Sequence, residues 1–277
     1  MITRKVGPAL AAGCTTVVKP SELTPLSAIA AQTLALRAGI PEGVFQLVTA
    51  GGGEDSSEVG KEFCENPIVK KISFTGSTTV GKILLKQSSD TVKRVSLELG
   101  GNAPFIVFAD ADLELAVQSA IHSKFRNAGQ TCVCADRFLV EASIEEEFVH
   151  RLHDAIANIK VGNGLTEGTT MGPLITASAV ENVHRKVEEA IENGAECLEG
   201  GHPVKELGPN FYAPTLLVNV KPGKDRIWDT ETFGPVVAIC TFQTEHEAIS
   251  IANDTLTGLA SYVFTQDLSR IFRVTSR

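Results

Sequence analysis

The chain has 277 residues, 43% hydrophobic and 21% charged, with a net charge of −8 and only six cysteines. That length permits one large or two modest domains with a real core, and the acidity argues against nucleic acid or an anionic membrane surface as a partner. The cysteines, Cys14, Cys64, Cys132, Cys134, Cys197 and Cys240, lack the density of a disulfide scaffold and point to a reducing compartment, the cytoplasm by default.

The N-terminal MITRKVGPALAAG reads two ways. A basic start, a short apolar run and an Ala-x-Ala fit a secretory signal; the same residues fit a helix leading into a buried strand, CTTVVKP. The longest uncharged, largely apolar run, residues 6–18, is too short to cross a bilayer. TPLSAIAAQTLALRAG predicts a helix with Thr24 as cap, Pro25 at its first position and Gly39 at its end. VFQLVTA predicts a strand, SSEVGKEFCEN a helix, KISFTG a strand and STTVGKILLKQ a helix. This strand–helix rhythm implies a parallel sheet covered on both faces.

The rhythm continues past RVSLELGG with the strand APFIVF, the helix DLELAVQSAIHSKF and the strand RFLVEA. Two helices follow, EEEFVHRLHDAIANI and SAVENVHRKVEEAIENGA, joined by the looser VGNGLTEGTTMGPLI. The last third holds shorter strands, FYAPTLLVNV, VVAICTF and ASYVFT, and the helix HEAISIANDT. There is no repeat and no low-complexity segment. Gly100 and Gly101 mark the best boundary, dividing the chain into domains 1–99 and 100–277.

Nucleotide signals are individually weak. GSTTVGK, starting at Gly76, misses the phosphate-cradling loop because Ile83 stands where Ser or Thr is required to hold Mg²⁺. A plainer use remains, since the strand KISFTG ends where Ser77 opens a helix whose free N–H groups suit a pyrophosphate. KPSE, Lys19 to Glu22, lies at the C-terminal end of its strand, the edge where open α/β sheets bind ligands. A carboxylate there accepts ribose hydroxyls and repels a 2′-phosphate. No G-x-G-x-x-G appears.

The chemistry concentrates in FRNAGQTCVCADRF, residues 125–138. Cys132 follows a glycine-containing stretch at the end of a helix or the turn beyond it, where nearby N–H donors would favour the reactive thiolate. The plainer reading is a packed small residue. In VSLELGG, Val95, Leu97 and Leu99 share one face while Ser96 and Glu98 share the other, so Glu98 reads as an outward strand residue. Arg126 reads as a solvated helix charge. His150 and His153, one turn apart, imitate a metal pair, but an exposed helix face accounts for them.

Together LELGGNAPFIVF, FRNAGQTCVC, FTGSTTVGK, VVKPSELTP and ETFGPVV resemble the aldehyde dehydrogenase superfamily over essentially the whole chain. MITRKVGPALAAGC, SKFRNAGQTCVC and EGTTMGPLI are most like its succinate-semialdehyde dehydrogenases. The resemblance makes the N-terminal segment an internal helix and strand rather than a signal. It implies a three-layer, parallel-sheet α/β fold, with a partial Rossmann-like NAD-binding domain over 1–99 and a partial catalytic domain over 100–277.

Carried over by position, Cys132 matches the nucleophile that forms a thiohemiacetal and then a thioester, and Glu98 the base that activates water to hydrolyse it. Lys19, Pro20, Ser21 and Glu22 match the loop holding the adenosine ribose. Gly76, Ser77, Thr78, Thr79, Val80 and Gly81 match the turn beneath the pyrophosphate, and Arg4 a further cofactor contact. Glu231 and Phe233 match the pair that places the nicotinamide ribose and ring. Arg126 matches the arginine that grips a substrate carboxylate, and Cys134 the partner of a strained, reducible redox switch. The implied cofactor is NAD, favoured by Glu22, with NADP as the alternative, and no metal takes part. The implied substrate is a small aldehyde carrying a carboxylate, succinic semialdehyde first.

The resemblance also implies truncation at both ends. An asparagine of the oxyanion hole would precede Met1, a donor worth roughly 2.7–4 kcal/mol in the transition state. At the other end, FRVTSR falls inside an expected helix, with later catalytic-domain strands and an oligomerising strand beyond it. A homo-oligomer is expected of the full-length form, and a mitochondrial matrix location if a transit peptide precedes it. Two readings stay open: a semialdehyde dehydrogenase, and a non-catalytic relative that binds nucleotide weakly or associates with intact subunits.

Overall fold

The N-terminal segment that reads two ways forms helix α1 (Ile2–Ala11), followed by strand β1 (Thr16–Val18). It opens the first of two units, Met1–Leu99 and Gly100–Arg277, in a computed structural model that describes residues 1–277. The first unit continues with α2 (Pro25–Arg37), β2 (Phe45–Leu47), α3 (Gly53–Glu65), β3 (Lys71–Thr75), α4 (Thr78–Gln87) and β4 (Arg94–Glu98). Thr24 stands at the N-cap of α2 with Pro25 behind it, although the Thr24 hydroxyl makes no capping bond. Gly39 follows the helix at φ +90°, the left-handed turn that glycine adopts without strain.

Instead of one continuous sheet, this unit has two parallel pairs, β1 with β2 and β3 with β4. That corrects the expectation of a buried first strand, since Val17 is 50% exposed. With a single three-residue partner strand, β1 has one side left uncovered. The β3–β4 pair is better packed: Cys64 from α3, Ile72 from β3 and Leu84 from α4 form a small core with Phe63, Val69, Phe74 and Val95 around it. β4 alternates as the sequence predicts, with Val95 and Leu97 turned inward and Ser96 and Glu98 exposed.

The second unit carries β5 (Ala103–Val107), α5 (Leu113–Phe125), β6 (Ala135–Glu141), α6 (Glu145–Ala157), α7 (Ala177–Glu192), β7 (Glu196–Glu199), β8 (Thr215–Val218), α8 (Arg226–Asp229), β9 (Val236–Phe242), α9 (Glu245–Asn253), β10 (Tyr262–Phe264) and α10 (Leu268–Thr275). Its sheet runs β10-β5-β6-β9-β8-β7, parallel throughout except for β7, which pairs antiparallel with β8. β6 and β9 are buried along almost their whole length, as strands covered on both faces must be. Helices α5, α7, α9 and α10 start where short polar side chains satisfy free N–H groups: Asp112 accepts from Leu115, Thr176 from Ala179, Thr244 from Glu247 and Asp267 from Ser269 and Arg270. Two short elements, β7 and α8, have no sequence signal of their own.

Candidate active site

In the first unit the predicted cofactor residues fall around two features. Lys19 leaves the end of β1 and donates through Nζ to Pro20 O at 2.9 Å and Ser56 Oγ at 3.2 Å. The same ammonium lies 3.5 Å from Glu22. A hydrogen bond from its own backbone N–H holds the Glu22 carboxyl below the usual range, with Lys19 adding to the effect, so Glu22 is an anion at neutral pH. Glu22 packs 3.5 Å from where a Cβ on Gly52 would stand. Beside Gly52, a cavity of about 480 Å³ is lined by Thr49, Ala50, Gly51, Asp55, Glu58 and Val59.

The second feature is the turn from β3 into α4. Ser77 caps the helix by accepting from Val80 N at 3.3 Å, which leaves Thr78 and Thr79 in its first turn. Two glycines let side chains approach closely here. A Cβ on Gly76 would lie 2.4 Å from the Phe74 ring, and one on Gly81 would lie 2.5 Å from Leu99 Cδ2. Arg4 is exposed on α1. Its neighbour Lys5 donates to Ser73 Oγ at 2.9 Å; burial lowers the Lys5 pKa while the charge of Glu98 opposes the shift.

In the second unit Cys132 sits in the turn between the short helix after α5 and the start of β6, closed by Cys134 N donating to Thr131 O at 3.0 Å. The approach is unusually bent: Asn127, Ala128 and Gly129 all have left-handed φ, at 54°, 53° and 75°. A Cβ on Gly129 would lie 2.1 Å from Gly234 O, and one on Gly101 would lie 2.2 Å from Cys132 O. Both glycines therefore permit main-chain approaches that no other residue allows. Gln130 pins the loop from outside, donating to Asn127 O at 3.0 Å and accepting from Ile175 N at 2.8 Å. Tyr262 donates to Val133 O at 2.6 Å. Cys134 is buried with its Sγ 2.7 Å from Thr131 Oγ1. Arg126 is exposed at the end of α5.

Glu231 and Phe233 occupy one loop of the same unit. Glu231 Oε1 accepts from Gly101 N at 3.1 Å, and its other oxygen lies 2.7 Å from where a Cβ on Gly100 would be. Burial pushes the Glu231 pKa up, with the Gly101 N–H opposing. Phe233 is exposed and left-handed, at φ 49°. His150 and His153 stand on an exposed face of α6, 3.4 Å from Asp154 and from Glu199 respectively. A cavity of about 570 Å³ between α5 and α6 contains none of the predicted residues.

Several buried charges were missed. Lys124 donates to Asp136 at 2.6 Å with both side chains buried, clamping the two ends of the Cys132 loop. Arg137 donates to the carbonyls of Asn102, Ile251 and Ala252. Lys186 donates to Glu231 O at 2.6 Å and Thr230 O at 3.2 Å. A signal existed for both lysines: Lys124 is four residues after Ala120, and Lys186 is three after Val183 and four before Ala190, so each occupies the buried stripe of its helix.

The family model of the aldehyde dehydrogenase family matches residues 1–277. The NADP(+) succinate-semialdehyde dehydrogenase of Escherichia coli is 52% identical over 274 residues, covering 99% of this chain and 56% of that protein. The glutarate-semialdehyde dehydrogenase of Pseudomonas aeruginosa has the same identity and coverage. The mitochondrial succinate-semialdehyde dehydrogenase of Homo sapiens is 53% identical over 276 residues, 99% of this chain and 51% of that one. A crystal structure of succinate-semialdehyde dehydrogenase from Burkholderia pseudomallei superposes with a TM-score of 0.96 at 50% identity, over 100% of this chain and 56% of that chain. The chain thus spans about half the length of the relatives it matches. It belongs to the aldehyde dehydrogenase family.

Proposed function

We propose that the protein oxidises an aldehyde bearing a distal carboxylate, succinic semialdehyde first, with NAD as cofactor, through residues 1–99 as a cofactor domain and 100–277 as a catalytic domain. The observation that carries this reading is the Cys132 turn, where glycines at 101 and 129 bring main chain to within contact of Cys132 and of Gly234. A side chain at either position would displace the turn that presents the thiol.

The residues of the first unit fit an adenine nucleotide. The cavity beside Gly52 has room for a base, the Lys19–Glu22 pair offers a donor and an acceptor to a ribose, and the capped start of α4 suits a pyrophosphate. The anionic Glu22 favours NAD over NADP. Glu231 and Phe233 would hold the nicotinamide end. When bound, NAD supplies the acceptor for the hydride.

On the protein side, the Cys132 thiolate adds to the carbonyl carbon, and the thioester left after oxidation is hydrolysed by water deprotonated by Glu98. Arg126 receives the distal carboxylate, for which a guanidinium fork is suited. Cys134 is the resolving thiol of a reversible off-switch: peroxide oxidises the Cys132 thiolate to a sulfenic acid with release of hydroxide, and the Cys134 thiol condenses with that sulfenic acid to a disulfide with release of water. Retained thiol-reversibility of peroxide inactivation in Cys134→Ala would remove the switch.

The alternative is a non-catalytic relative that binds nucleotide weakly or associates with intact subunits. NADH formation with succinic and glutaric semialdehydes, on this chain and on a version extended at both ends, separates the two. Activity in neither overturns the dehydrogenase reading. Arg126→Ala is expected to raise KM for the semialdehyde roughly thirtyfold, about 2 kcal/mol, while barely altering KM for an uncharged aldehyde. Equal effects on both substrates would exclude the carboxylate grip.

A further inference from the structure

Lys186 is a lysine where the packing of α7 calls for an apolar side chain. It is 4% exposed and its neighbours on the helix face, Val183, Val187 and Ala190, are all buried. The charged groups around it come from four elements. Asp136 lies at the start of β6, Lys124 on α5, Arg226 on α8 and Glu231 in the loop after α8. Asp136 is already engaged by Lys124 at 2.6 Å, and Arg226 by Glu189 at 3.5 Å. Lys186 instead spends its hydrogens on main chain, at Thr230 O and Glu231 O. A buried ammonium held by two carbonyls of one loop is a costly way to fill a core position. Burial accordingly lowers its pKa from 10.5 to about 8, with Asp136 opposing.

The loop it grips leads to the nucleophile by consecutive contacts. The Glu231 side chain accepts the Gly101 N–H, and Gly101 lies against the Cys132 carbonyl. One residue beyond, Thr232 donates back to Ile227 O, and Phe233 then takes its left-handed turn. The start of the segment has a separate anchor, because Asn102 Nδ2 donates to Trp228 O at 2.9 Å. Loss of Lys186 would therefore free residues 230–233 without freeing α8.

We propose that Lys186 is a positioning residue for the dehydrogenase site: it fixes the Thr230–Glu231 main chain, so that the Glu231 carboxylate stays on Gly101 N–H and Phe233 keeps its turn. The effect on catalysis rests on the function proposed above, whereas the effect on the loop does not. The two are separable by experiment.

Lys186→Met keeps length and removes the donors; Lys186→Gln keeps a donor and removes the charge. In Lys186→Met, hydrogen–deuterium exchange of a peptide spanning residues 230–233 is expected to quicken about tenfold, the worth of one such hydrogen bond, while peptides from α8 are unchanged. KM for NAD should rise by a similar factor with KM for the aldehyde little altered, and Lys186→Gln should recover part of both. The wild-type advantage should shrink as pH rises through about 8, where the ammonium becomes a weaker-donating amine, an effect that simple repacking would not produce. Unchanged exchange in 230–233 in both variants, or a cofactor KM ratio flat across that pH range, overturns the proposal. If wild type neither binds NAD nor makes NADH, the functional reading falls, and the exchange comparison still decides the role of Lys186 in the loop.

Discussion

Two lysines occupy the apolar stripes of their helices, and each charge is met differently. Lys124 is matched by Asp136 in a pair with 0% and 3% of the side chains exposed, at the two ends of the segment that carries Cys132. Removing one partner strands the other in a dry interior, so Lys124→Met should destabilise the chain by about 3–5 kcal/mol. Adding Asp136→Asn should recover much of that loss, as read from urea midpoints at constant m-value. Glu22 illustrates the opposite case, a carboxylate left near solvent beside one lysine. Glu22→Gln removes the negative charge that opposes a 2′-phosphate and should lower KM for NADP roughly tenfold while raising that for NAD; an unaltered ratio would remove Glu22 as the selector. Cys132, Glu98 and Arg126 were nameable from motif alone. Lys5, Lys124 and Lys186 were not, because a lysine in a helix reads as solvated until its neighbours in space are known.

Helix α4 carries the clearest link from local sequence to the proposed cofactor surface. Its start is fixed by the Ser77 hydroxyl, and its distance from β4 is fixed by Gly81 against Leu99. Ser77→Ala should cost about 1 kcal/mol through the lost cap, with NAD affinity falling in parallel if the helix start holds the pyrophosphate. Gly81→Ala should lift α4 off the strand and weaken NAD binding more than Ser77→Ala does, measured by fluorescence titration. Most elements were visible in the sequence as runs with period two or near 3.6. The misses were physical in origin. β7 is four residues of Glu, Cys and Leu that become a strand only by pairing antiparallel with β8, and α8 is a single turn. β1 looked like a core strand because its residues are apolar, but its single partner β2 leaves Val17 half exposed.

No helix of the chain is long and apolar enough to cross a membrane. For the chain as a whole, buried titratable groups write a signature into its pH dependence of stability. Lys186 holds its proton up to about 8 when folded and to 10.5 when unfolded. Between those values the unfolded chain binds the extra proton, so this group's contribution to stability rises with pH, by at most about 1.4 kcal/mol per unit. Cys240, pushed up from 9.0 to about 12 by burial, acts in the opposite sense and removes stability as pH climbs above 9.0. Urea unfolding at pH 7.5 and 9 should therefore show wild type gaining on Lys186→Met as pH rises, since the cysteines titrate alike in both chains. No gain would mean that Lys186 is not buried as an ammonium.

Local patterning and motif order settled the α/β class and the family, since these depend on residues near in sequence whose periodicity and spacing survive without a fold. Which charges are buried, which glycines are forced by contact, and how the Glu231 loop is tied through Gly101 to the Cys132 peptide depended on packing. Those features join residues more than a hundred positions apart, and no linear pattern encodes a contact between them.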